Sequence, residues 1–85
     1  MFIRSQDRTK LVKASDFHIL SSNKVFAIYS GIDALGYYST EEKAMKVMDM
    51  IETAILGNEI ANSVIDIGYW KKGLFQMPKD DEVEV

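Results

Sequence analysis

The chain contains no cysteine, so neither a disulfide staple nor thiolate chemistry is open to it. It has one histidine, His18, one proline, Pro78, and one tryptophan, Trp70. A zinc site draws on about three or four nitrogen, sulfur or carboxylate ligands of matched type, and one histidine without cysteine does not supply them. An all-carboxylate site would need the alternating oxygens and central glycine of a calcium loop, and Lys79-Asp80-Asp81-Glu82 has neither. Glycines 31, 36, 57, 68 and 73 are scattered as turn and cap residues, so no Gly-rich phosphate loop forms.

Serine catalysis needs a base and an orienting acid. The single histidine leaves one conceivable set: His18, a serine such as Ser5 or Ser30, and Asp16. Nothing in the spacing gathers these, and His18 beside Asp16 is more naturally a sheet-surface residue. The expectation is a protein that is not an enzyme, with no catalytic residues, no metal and no cofactor. Apolar runs also stay well short of the roughly 18–20 residues of a spanning helix. The start, Met1-Phe2-Ile3-Arg4-Ser5-Gln6, lacks the charged-then-apolar layout of a signal peptide. These absences, with the missing cysteine, favour a cytoplasmic protein that does not engage membranes.

What is present is a chain of 85 residues, 47% apolar, with a formal charge of −3. That length allows one core and no second domain. The charge is unevenly spread. Arg4, Arg8, Lys10 and Lys13 face only Asp7 at the start, whereas Lys79 faces Asp80, Asp81, Glu82 and Glu84 at the end.

Gly36-Tyr37-Tyr38-Ser39-Thr40-Glu41-Glu42 reads as a strand end followed by a helix start. Ser39 with Glu42 three residues on forms a capping-box pattern, and the paired glutamates suit a helix N-terminus. Ala44, Val47, Met48, Ile51 and Ile55 fall on one stripe at helical spacing, flanked by Met45 and Met50, and Gly57 is a natural terminator. A helix over about 40–56 follows. The two methionines widen its buried face or offer an adaptable contact surface.

Upstream, strands are expected at Phe2–Gln6, Lys10–Lys13, Phe17–Leu20, Val25–Tyr29 and Leu35–Tyr38, separated by turn clusters such as Ser21-Ser22-Asn23. In Val25–Tyr29 neither alternating face is polar, so both should be covered. One helix covers one face, and the segment after Gly57 or a second copy of the chain could cover the other. Residues 58–70 are ambiguous between a short helix and a strand, with a helical turn or two favoured. Leu74–Met77 forms a last strand, ended by Pro78. The fold class expected is α+β, a mainly antiparallel sheet of four or five strands with one amphipathic helix on one face. Residues 1–78 make the domain and 79–85 a flexible acidic tail.

Two clusters could bind something. Arg4, Gln6, Arg8, Lys10 and Lys13 either shield an edge from aggregation or meet phosphates or an acidic partner, aided by Tyr29, Tyr37 or Tyr38 if exposed. The net negative charge argues against nucleic acid. Tyr69 and Trp70, followed by two lysines, either close the core or anchor an interface, with Phe26 and Ile28 as further interface candidates.

Three pieces together resemble a pattern of small uncharacterised proteins of Gram-positive bacteria and their phages. They are Met1-Phe2-Ile3-Arg4-Ser5-Gln6-Asp7 followed by Leu11, Gly36-Tyr37-Tyr38-Ser39-Thr40 leading into Ala44, Val47 and Ile51, and Phe75-Gln76-Met77-Pro78. The resemblance implies a short phage- or prophage-borne protein of unknown role and transfers no catalytic residue. The leading expectation is a non-catalytic protein-interaction module, possible as a homodimer. The alternatives are a nucleic-acid-binding accessory protein using the basic start, and a phage inhibitor of a host defence protein.

Overall fold

A computed structural model describes residues 1–13, 16–59, 70–71 and 73–85. The chain is α+β, and its strands form two sheets rather than the single sheet expected. The first sheet contains β1 (Phe2–Arg4), β2 (Leu11–Lys13), β6 (Trp70–Lys71) and β7 (Leu74–Gln76), in the order β2-β1-β7-β6. The second is a meander of β3 (Phe17–Ser22), β4 (Val25–Ser30) and β5 (Asp33–Tyr38). The helix α1 (Glu41–Glu59) follows β5. Pairing is antiparallel except between β1 and β7, which run parallel with Ile3 opposite Phe75. The first and last strands therefore lie side by side, a long-range pairing that no local pattern reveals.

Local chemistry explains the turns. Asn23 and Lys24 both take positive φ, 50° and 63°, between Ser22 and Val25, the two-residue turn whose twist suits a hairpin. Gly31, at φ 60°, opens the turn from Ser30 to Asp33. A register shift after Ile28 makes a bulge against β5, where Leu35 and Gly36 meet one residue of β4. Leu35 thereby joins the core, and a Cβ on Gly36 would lie 3.0 Å from the Tyr38 hydroxyl.

One core unites both sheets and the helix. Ile3 and Phe75 enter it from the first sheet, and Ile28, Leu35 and Tyr38 from the second. The helix supplies Ala44, Val47 and Ile51 from the predicted stripe and Ala54 beside it, with Met48, Met50 and Ile55 partly buried and Met45 exposed.

Three expectations about boundaries need correction. The helix cap is Thr40, whose Oγ1 accepts from the Lys43 amide at 3.1 Å, while Ser39 is used elsewhere. The helix also runs past Gly57 to Glu59. The segment after Pro78 is docked rather than a free tail: Asp80–Glu82 forms a 3-10 turn and Val83 is buried in the core. The helical reading of residues 58–70 falls largely on residues outside the described set; Trp70 itself lies in β6.

Candidate interaction surface

The basic start is dispersed by the fold. Arg4 and Lys13 share the outer face of the first sheet with Phe2 and Leu11, because Ile3 and its partner Val12 turn inward. Phe2 and Leu11 are about half exposed on that face. Arg8 sits in the β1–β2 turn at φ 67°, and Lys10 reaches Asp33 at 4.0 Å across solvent. Gln6 is committed internally. Its Oε1 accepts from the Tyr37 amide at 3.0 Å, and its Nε2 donates to the carbonyls of Tyr37 and Pro78 at 3.1 and 3.2 Å. With its own amide on the Leu35 carbonyl at 2.7 Å, Gln6 seals the outer edge of β5 and joins the two sheets.

The neighbouring turn is built on Asp7. One carboxylate oxygen accepts from the Thr9 hydroxyl and amide and from the Ser5 hydroxyl, at 2.7, 3.0 and 2.7 Å. These bonds, led by the Thr9 hydroxyl, hold its carboxyl at about 2. Ser5, itself buried, accepts in turn from the Lys10 amide. The Ser5-Gln6-Asp7 run is thus a folding device.

The end of the chain completes it. Tyr38 is buried and its hydroxyl donates to the Pro78 carbonyl at 2.7 Å; burial pushes its pKa well up. Asp80 accepts from the Ser39 amide at 2.8 Å and the Ser39 hydroxyl, and Lys43 lies 3.5 Å away. The Ser39 amide is the main cause that lowers the Asp80 pKa. Asp80 therefore meets the helix N-terminus, where negative charge is favoured.

Of the interface candidates, Ile28 is fully buried and Phe26 packs against the core, so neither is presented on an open face. Trp70 pairs in register with Phe75, and Tyr69 lies outside the described residues.

The open surface lies on the opposite face of β4. Register places His18, Tyr29 and Ala34 in one row, and Leu20, Ala27 and Tyr37 in the next. The His18 and Tyr29 rings stack 5.8 Å apart at 16°. Leu20 and Tyr37 are 52% and 54% exposed, while Ala27 between them is buried. Helix α1 packs on one face of the sheet; the segment after Gly57, expected as one possible cover for the other face, falls largely outside the described residues. Leu20 was not singled out from the sequence, although alternation in Phe17–Leu20 is the signal that sets it on the side of His18; the pairing of Leu20 and Tyr37 across Ala27 required the sheet.

At the side of this sheet β3 has no neighbouring strand among the described residues. In a two-residue hairpin the residues flanking the turn exchange both backbone bonds, and the pattern alternates along the strand. Ser22, Leu20 and His18 therefore bond β4, and the amides and carbonyls of Phe17, Ile19 and Ser21 point away from it. Beneath this edge lies an open groove of about 430 Å³, between Phe17 and the helix residues Met48, Ile55 and Leu56, with Asp49 and Glu52 on its rim.

Among the described residues no three His, Asp or Glu side chains gather to hold a metal ion, and no helix is long and apolar enough to cross a membrane. Comparison of the chain with protein-family models, curated proteins and solved structures gives no match.

Proposed function

We propose that this chain is a non-catalytic protein-interaction module that works through the outer face of its three-stranded sheet. The observation that supports it most is the half exposure of Leu20 and Tyr37 beside the stacked His18 and Tyr29. Aromatic side chains of this kind carry much of the energy in protein interfaces. The polar groups nearby are consumed by internal bonds at Gln6, Asp7 and Asp80, so they position the sheet rather than do chemistry.

The test compares the native chain with a Leu20→Lys, Tyr37→Lys variant. Light scattering at rising concentration asks whether the partner is a second copy, and comparative capture from an extract asks whether it is another protein. The proposal expects an association by one route that the variant loses. A native chain that is monomeric, and a captured set identical for both proteins, would sink it.

A second reading draws on the first sheet, where Phe2, Leu11, Arg4 and Lys13 share one outer face. An aromatic ring among cations suits a single-stranded nucleic acid. Tyr38 cannot assist because it is buried. Arg4→Ala with Lys13→Ala should then abolish a salt-sensitive gel shift, and no shift of the native chain at low salt would remove this reading.

A further inference from the structure

We propose that the free edge of β3 is a strand-addition site for an extended, basic segment of another protein. This inference rests on the interaction-module reading and names where the module binds and what kind of segment it takes.

Natural edge strands are usually blunted by lysine, proline or a bulge. β3, Phe-His-Ile-Leu-Ser-Ser, carries no formal charge, no proline and no glycine, and its register with β4 is unbroken over all six residues. Two other edges differ. β2 carries Lys13, and the outer side of β5 is occupied by Gln6. On β3 the outward backbone groups of Phe17, Ile19 and Ser21 recur every second residue, the spacing that an added strand matches. Such a strand would also send alternate side chains toward the groove below, where Phe17, Met48, Ile55 and Leu56 suit apolar residues.

The sign of the partner follows from the groove rim. Asp49 and Glu52 are exposed, and the ion pairs among the described residues, Lys10–Asp33 and Lys43–Asp80, leave both without a cation. A lysine or arginine on the incoming strand answers them, and an acidic strand is repelled. The same charges argue against a second copy on this edge. β3 brings no cation of its own, and pairing two copies would set one acidic rim beside the other.

The test is selection of a displayed random heptapeptide library on the intact chain, followed by binding titrations of synthetic peptides chosen from the winners. Enriched sequences should alternate apolar residues and carry lysine or arginine. Ser21→Pro removes one outward amide without touching a bond to β4, and proline is tolerated at such edge positions. Glu52→Lys leaves the strand intact and reverses the rim. Each should weaken binding about tenfold, the worth of one lost charge-assisted or paired hydrogen bond, with unchanged circular dichroism. Acidic winners, or winners indifferent to both substitutions, would overturn the proposal. Winners lost only with Leu20→Lys would overturn the edge site and leave the interaction-module reading standing. A native dimer made monomeric by Ser21→Pro would give the edge to a second copy and overturn it too. No enrichment at all would count against both readings.

Discussion

The two ends of the three-stranded sheet are treated in opposite ways. At the β5 side, Gln6 bonds Tyr37 and Pro78, Tyr38 bonds Pro78 and Asp80 bonds Ser39, and the edge is shut by an amide side chain. At the β3 side, Phe17, Ile19 and Ser21 offer the same kind of backbone groups, with no strand beside them among the described residues. The contrast teaches where to look for function in a chain rich in polar motifs. A polar group already satisfied inside the fold is unavailable to a partner, and an uncommitted edge is available at little cost.

If the shut side is structural, breaking it should destabilise. Gln6→Ala removes three side-chain hydrogen bonds that join the sheets, and about 3 kcal/mol of stability should go with them, read from urea unfolding. Gly36→Ala presses a methyl against Tyr38 and the Met77 methyl at 3.0 to 3.3 Å, and should cost about 2 kcal/mol through overpacking. Asp80→Ala frees the Ser39 amide and the end of the chain. Because that carboxylate is largely solvated, the expected loss is about 1 kcal/mol.

Acid should act on the same side. The Asp7 carboxyl titrates at about 2 when folded against an ordinary 3.8, so its contribution is complete above that ordinary value. It is lost as pH falls from there through about 2, and Asp80 is shifted in the same direction. The unfolding midpoint should fall over this window, and Asp7→Asn should flatten the fall. The open side should behave differently again. Leu20→Lys should change stability by less than about 0.5 kcal/mol while abolishing partner binding.

Much of the fold was legible because its signals are local. The helical stripe, the Asn23 turn, the strand at Val25–Tyr29 and the terminal strand before Pro78 all follow from spacing and turn chemistry. What was not legible depends on contacts far apart in sequence. Ser39 looked like the helix cap, yet its hydroxyl serves Asp80, and Thr40 takes the capping role. Gln6 looked like part of a basic binding strip, yet it reaches Tyr37 and Pro78. Two sheets were missed because the parallel pairing of β1 with β7 joins opposite ends of the chain. The interaction surface was half legible: His18 and Leu20 alternate in the sequence, whereas Tyr37 joins them only through the register with Ala27.

Residue-resolved amide exchange along β3 tests the central claim most directly, since it asks whether that edge is bare in the free protein. The account predicts alternation: the amides of Phe17, Ile19 and Ser21 exchange fast, while those of His18, Leu20 and Ser22 are protected by β4. Uniform protection across Phe17–Ser22 would contradict it, because the edge would then already be covered.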